Sequence, residues 1–405
     1  MTTPPPASQR SDAIPADSAS LQTPKSKRHA GNSPYRLLDA WRGFAALWVV
    51  MVHSCDKDIS ARFSDLANVP LYRFSLWGGL GVTMFFVISG YCIANAAVRA
   101  WVNPQPLKHF LKARLRRIYP AYFFASVLTI LLATLLAVLV KYHVLQSSET
   151  AKNDFFHHGL RYYFATLTIT QVPFHVKPIL VVLWSLCYEV AFYGVVAILL
   201  VLAKRFLTVD RLLDALGVTT ILSLTWLNYS GQSCPFPWNL WPQFGLGVLA
   251  YQLLAQPDRR LTYIFMSASL GLMALFAMRY SYGQSLDHTS SRVQSVFCIF
   301  FTLALLGLFR WDDALTRLRP VRWMIWVGGF SYSLYLVHTL LLGLLSQIGK
   351  KLHLSEPHFF YFYVLEIVAS MCVGLAFFTL FEKPFLSRQQ IRFQFAFPRP
   401  TDKEK

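Results

Sequence analysis

The feature that most restricts what this chain can fold into is a succession of long apolar runs divided by short basic clusters. Ten runs approach the roughly 20 residues that a hydrocarbon core of about 30 Å requires of a helix rising 1.5 Å per residue. They lie at 37–52, 79–98, 118–140, 181–203, 212–229, 238–254, 261–278, 293–309, 323–348 and 359–381. Inside lipid no water can satisfy the peptide groups, so runs of this length must be helical. The expected fold is all-α, a polytopic integral membrane bundle of about ten transmembrane helices. The first run is short and the fifth contains Asp214, so these two fit the spanning template least well. Composition agrees, because only 14% of residues are charged and the mean hydropathy is +0.40. A soluble domain carries about 25% charged residues.

The formal net charge of +18 could point to nucleic acid. A nucleic-acid binder, however, needs a basic face and base-reading elements, and here the cations sit in clusters between apolar runs. The expected partner is the lipid bilayer and not nucleic acid. With the amino terminus placed inside, 26 of the 38 Lys and Arg residues fall in inward segments and 11 in outward ones, and Arg42 lies within the first run. That bias places both termini in the cytoplasm. Residues 1–33 are rich in Pro, Ser, Thr and Ala, which predicts a disordered cytoplasmic tail and no secretory signal. The transmembrane domain is expected over 34–386, followed by a cytoplasmic tail over 387–405. The six cysteines show no CxxC spacing and no Cys/His cluster, so neither a metal site nor a disulfide framework is expected. No internal repeat is visible, which weighs against transporter folds built from duplicated halves.

Ionisable groups within apolar runs are costly, and each is a candidate for function unless a structural partner explains it. The first run carries Asp39 and Arg42 one turn apart and His53 eleven residues beyond Arg42, roughly 16 Å along a helix. Imidazole can take a proton from a hydroxyl near neutral pH and return it to a leaving group, although a histidine at an interface can also be inert. The basic run Lys108, Lys112, Arg114, Arg116 and Arg117 has a plain reading as inward-side anchoring. Phe85 and Phe86 beside Ser89 and Gly90 resemble a seam for close helix contact. Glu189 sits in an apolar run and needs a partner; it either orients His53 or anchors an ion pair. Tyr332, Tyr335 and His338 follow helical spacing and form a polar stripe, with Tyr335 and His338 sharing a face as i and i+3. Glu382 has Arg42 and Lys383 as candidate neutralising partners and a structural role. Glu366 has no evident assignment.

Six segments, in order, resemble the acyltransferase 3 family of membrane O-acyltransferases. They are LLDAWRGFAALWVVMVH at 37–53, GGLGVTMFFVISGYCI at 78–93, RLRRIYP at 114–120, LWSLCYEVAFY at 183–193, GGFSYSLYLVH at 328–338 and FEKPF at 381–385. The first contains an Arg, ten intervening residues and a His. The resemblance implies an acyltransferase that takes an acyl group, most simply acetyl, from cytoplasmic acyl-CoA and passes it to a hydroxyl of a carbohydrate. Exopolysaccharide, lipopolysaccharide and glycolipid are the implied acceptors, and a bacterial cytoplasmic (inner) membrane the implied location. Arg114 and Arg117, with Arg116 beside them, would hold the phosphates of coenzyme A, since a guanidinium suits multidentate phosphate contact. His53 would be the base, with Glu189 fixing its tautomer and Arg42 assisting donor binding or helix pairing. Ser185 or Tyr188 would face the developing oxyanion. Asp39, Phe85, Phe86, Ser89, Tyr332, Tyr335 and His338 would line the path of the pantetheine arm. The chain ends soon after the tenth run, so no fused extracytoplasmic esterase-like domain is expected. A transporter or flippase of a lipid-linked or acylated sugar is the competing reading; it would show the same runs without needing Arg42, His53 and the paired arginines.

Overall fold

The computed structural model describes residues 35–55, 69–142, 159–206, 208–230, 234–279, 292–352 and 356–386. Both expected tails therefore lie outside the described residues. Thirteen numbered helices follow in order: α1 Leu37–His53, α2 Pro70–Ser75, α3 Leu80–Trp101, α4 Pro106–Lys141, α5 Leu160–Thr168, α6 Leu183–Phe206, α7 Val209–Ser230, α8 Trp241–Ala255, α9 Arg260–Arg279, α10 Arg292–Leu308, α11 Arg319–Gly329, α12 Ser331–Leu352 and α13 Glu356–Phe377. Helical turns over 309–315 join α10 to α11, and no strand occurs among the described residues.

Every predicted run is helical, but not every run has the length or polarity of a membrane span. Among the described residues six helices are long and apolar enough to cross a bilayer: α3, α4, α6, α9, α10 with the turns after it, and α13 with its terminal turns. A seventh is possible if α11 and α12 together form one span, yet the two are bent by 73° at Phe330. The continuous helix expected over 323–348 is thus broken. The break falls at the Gly328-Gly329 pair, which weakens the helix locally, where Gly328 lies against the backbone of α1 and Phe330 is wholly buried at the corner. Of the remaining helices, α1 and α8 are only 17 and 15 residues long, and the expected span within α7 contains Asp214. Asp214 pairs with Arg259 and accepts a hydrogen bond from Gln252 at 3.1 Å, so this carboxylate is answered within the protein.

Helix α8 is buried at every residue from Trp241 through Leu253, which places it at the centre of the bundle. Its closest neighbour is α3, and glycines set their separation. A Cβ on Gly90 would stand 1.9 Å from the Phe244 carbonyl oxygen, and one on Gly247 would stand 1.9 Å from that of Val87. The small-residue seam read at Ser89-Gly90 is therefore a real backbone contact. Van der Waals packing supplies the association that the hydrophobic effect cannot supply between helices in lipid.

The start of α1 is fixed from a distance. Its first amides have no intrahelical partner, and Arg36 makes no side-chain cap. Asp312, on the turns after α10, accepts from the Arg36 N–H at 3.1 Å and the Leu37 N–H at 2.7 Å. A carboxylate there caps the helix and also suits its positive end. Asp312→Ala is expected to lower stability by about 1–2 kcal/mol, a cap's usual contribution. A thermal melt in detergent checks this, and Asp312→Asn, which keeps one acceptor, should recover part of the loss.

Candidate active site

Helix α1 carries Arg42 near its first turn and His53 as its last residue, so the two groups lie roughly 16 Å apart along the axis. A cavity opens beside the Arg42 end, among α1, α3, α4, α6 and α12. Its basic wall holds Arg42, Arg114 and Arg117. The latter two sit three residues apart on α4 and so share a face, whereas Arg116 is turned about 100° from Arg117. Arg116 is exposed and, unlike the other two, does not line the cavity. Pro106 at the first turn suits the start of α4.

Arg114 stands between two aromatic faces, 5.8 Å from the ring centroids of both Phe110 and Tyr193. Its Nε is buried and has no hydrogen-bond partner among the described residues. A buried guanidinium N–H without a partner is costly, and the same side chain lines the cavity. Arg42 makes a long contact of 3.7 Å with Asp39, which itself stays off the cavity lining.

Glu189 also faces this cavity. It accepts hydrogen bonds from the Ser89 hydroxyl at 2.8 Å and from the Tyr193 hydroxyl. The carboxylate therefore ties α3 to α6 at the basic end and does not reach His53, so in this arrangement it cannot fix the His53 tautomer. Tyr193 was missed from sequence as a site residue, although its position four residues after Glu189 was the available signal.

The opposite wall is aromatic. Phe85 lies edge-on to Tyr335 at 5.7 Å, and the Tyr335 hydroxyl is 2.7 Å from the Ser185 hydroxyl. Tyr332 donates to the Ile118 carbonyl at 3.1 Å and lines the cavity, as does Phe86. Of the two hydroxyls expected to face an oxyanion, only Ser185 reaches the cavity. Tyr188 is outside its lining, accepts from the Asn239 amide at 3.1 Å and packs against Phe86 and Phe236.

Neither His53 nor His338 lines the cavity. They meet each other instead, beyond Tyr335, whose ring lies 5.9 Å from that of His338. His338 Nε2 is 3.4 Å from His53 Nδ1, and the rings are edge-to-face with centroids 5.0 Å apart. His338 is fully buried, whereas His53 keeps an exposed side. Tyr335 and His338 share a face as their spacing predicted, and that face runs from the cavity to the histidine pair.

Glu382 is buried in a π-turn over Phe378–Glu382 and accepts from the Ser333 hydroxyl at 2.5 Å. Arg42 is the cation whose charge acts on it, while Lys383 is exposed. Pro384 follows within a closing 3₁₀ turn and cannot donate to continue the helix. Glu366 is buried on α13 one turn from Tyr363, whose hydroxyl meets that of Ser75 on α2 at 2.6 Å.

A family model described as an acyltransferase domain matches residues 35–383. The exopolysaccharide production protein ExoZ of Rhizobium meliloti is 26% identical over 322 residues, covering 78% of this chain and 92% of that protein. The peptidoglycan O-acetyltransferase OatA of Listeria monocytogenes is 23% identical over 340 residues, covering 77% of this chain and 52% of that protein. The O-acetyltransferase OatA of Staphylococcus aureus is 25% identical over 189 residues, which is 46% of this chain and 28% of that protein. The chain thus spans about half of the Listeria protein and under a third of the Staphylococcus one. No solved structure matches it. With the matched region reaching from the start of α1 to the turn after α13, the chain is an acyltransferase and belongs to the acyltransferase 3 family.

Proposed function

We propose that this membrane enzyme transfers an acyl group, most simply acetyl, from cytoplasmic acyl-CoA to a hydroxyl of a cell-envelope or exported carbohydrate in a bacterial cytoplasmic membrane. The observation that carries the reading is the cavity in which Arg114 and Arg117 share one helix face, with the buried Arg114 Nε unpartnered. Those arginines would take the phosphates of the donor. The aromatic wall of Phe85 and Tyr335 would flank its pantetheine arm on the way toward His53. The names of ExoZ and the two OatA proteins support a polysaccharide acceptor. The basic clusters support an inward-facing Arg42 end, with tails 1–33 and 387–405 on the same side. On this reading α1, α7 and α8 complete a ten-crossing topology, α1 and α8 as largely enclosed helices and α7 with Val218, Leu222 and Trp226 turned outward.

In the reaction, His53 Nε2 takes the proton of the acceptor hydroxyl while its oxygen attacks the thioester carbonyl. The tetrahedral intermediate then expels the coenzyme A thiolate, and the imidazolium returns the proton to that sulfur. A new ester bond forms, the thioester bond breaks, and the enzyme ends in its starting protonation state. Ser185 lines the cavity beside Tyr335, and its hydroxyl, which donates to the Val182 carbonyl at 3.0 Å, would turn from it toward the developing oxyanion.

Membranes containing the enzyme, supplied with radiolabelled acetyl-CoA and the producing cell's envelope polysaccharide, should transfer label to the polysaccharide. Arg114→Ala and Arg117→Ala should each raise the KM for acetyl-CoA by about 10-fold or more, the loss of one charge-assisted contact of about 1.5–3 kcal/mol. An unchanged KM in both variants would move the donor site elsewhere. Movement of a sugar across the membrane without label transfer would support a carrier.

A further inference from the structure

The hydrogen bonds around His53 and His338 define a direction, and we infer from it that His338 is a positioning residue that holds His53 in the tautomer needed for proton abstraction. The inference rests on the reading of His53 as the base. A ring nitrogen close to a carbonyl oxygen must carry the hydrogen, because two lone pairs would otherwise face each other. His53 Nδ1 lies 2.8 Å from the Val49 carbonyl, and His338 Nδ1 lies 3.2 Å from the Leu334 carbonyl. Each carbonyl belongs to the residue four positions earlier on the same helix, so helix geometry fixes both rings.

A neutral imidazole has one N–H. Both rings are therefore protonated at Nδ1 and carry a lone pair at Nε2. The nitrogens that face each other at 3.4 Å are then His53 Nδ1–H and the bare His338 Nε2, a donor against an acceptor. The opposite tautomer of His338 would set N–H against N–H and leave the Leu334 carbonyl facing a lone pair. Only one arrangement satisfies every group. It leaves His53 Nε2 bare, the nitrogen that would receive a hydroxyl proton.

His338 does more than select the tautomer. When His53 takes up a proton, its Nδ1–H becomes a stronger donor, and the Val49 carbonyl and His338 Nε2 are in place to share it. The arrangement parallels the acidic member of a Ser-His-Asp triad, which orients its histidine and stabilises the imidazolium. Here the partner is a neutral ring. Full burial of His338 keeps water from competing for that lone pair.

His338→Phe keeps a ring of similar size and removes the acceptor, whereas His338→Gln offers a carboxamide oxygen. In the labelled acetyl-CoA assay, His338→Phe should lower kcat by about 10–100-fold, less than loss of the base itself, with the KM for acetyl-CoA unchanged. His338→Gln should recover most of that loss, and adding His338→Phe to His53→Ala should cause no further decrease. Normal kcat in His338→Phe, or equal losses in the Phe and Gln variants, would overturn the proposal. A measurement on the unmutated protein stands apart from how the variants fold. In ¹⁵N spectra of histidine-labelled enzyme, with His53 assigned by its disappearance in His53→Ala, His53 should be protonated at Nδ1 and bare at Nε2. The reverse tautomer would sink the idea. If His53→Ala transfers label as fast as the wild type, the base assignment fails; if it does not and His338→Phe is unaffected, only the positioning role fails.

Discussion

His53→Ala is expected to reduce acyl transfer by about 10²–10⁴-fold, the usual contribution of a general base, while leaving the folded protein intact. The reaction asks for a group that is basic enough to accept a hydroxyl proton and acidic enough to return it to a thiolate. Imidazole meets both demands near neutral pH. The substitution should be structurally mild, because His53 closes α1, keeps an exposed side and, among the described residues, bonds its own helix backbone and the His338 ring. The turn survives without it, since the Ser54 N–H and hydroxyl both bond to the Val50 carbonyl. A stability within about 0.5 kcal/mol of wild type is therefore expected, as for surface substitutions generally. Donor binding should also persist, because the arginine wall lies a helix length away. The diagnostic result is a collapse of kcat at an unchanged KM for acetyl-CoA, measured with radiolabelled donor in membranes matched for enzyme content. Retained turnover would remove His53 from the chemistry.

What could be read before the structure divides according to whether the signal is local. Apolar runs are local, and every one of them became a helix. A hydropathy window cannot tell a lipid-facing helix from one enclosed by other helices, so α8, buried along nearly its whole length, looked like a span. Nor can it size the bend at Phe330, where Gly328 and Gly329 weaken the helix and α11 is held against α1. The partnership of Arg114 and Arg117 was legible, since i and i+3 share a face whatever the tertiary fold. Separating Arg116 from them needed the same rule applied more strictly. The pairing of Glu189 with Ser89 and of His53 with His338 joins residues far apart in sequence, and nothing local encodes it. Glu189 stayed open between His53 and an ion pair for that reason, and its hydrogen bonds go to Ser89 and Tyr193: a carboxylate in an apolar run announces a need without naming what meets it.

Gly43→Leu is expected to abolish accumulation of the folded enzyme, the largest stability effect among single substitutions in the catalytic half of the bundle. A Cβ on Gly43 would stand 2.1 Å from the Met324 carbonyl oxygen and 2.8 Å from the Gly328 nitrogen. The contact is reciprocal, because a Cβ on Gly328 would stand 1.9 Å from the Asp39 carbonyl oxygen. Both obstacles are backbone, which cannot swing aside as a side chain can. Even alanine requires α1 and α11 to part by roughly 1 Å, and overpacking of this kind costs about 1–3 kcal/mol or more. Leucine adds three further carbons to the same gap. The apolar cluster behind the seam, formed by Ala46, Leu47, Val50, Val327, Phe330 and Leu334, would lose its fit at once. Gly271→Ala is the control, since nothing lies within 4 Å of its added carbon, and it should change stability by no more than about 1 kcal/mol. Fluorescence-detected size exclusion with a thermal ramp separates the two outcomes. Gly43→Ala is the more informative variant if it still folds. Helix α11 leads through Phe330 into α12, which carries Tyr332, Tyr335 and His338, so spreading α1 from α11 also draws His53 from His338. Its turnover should then fall further than its stability does, because a hydrogen bond tolerates less displacement than a packed interface.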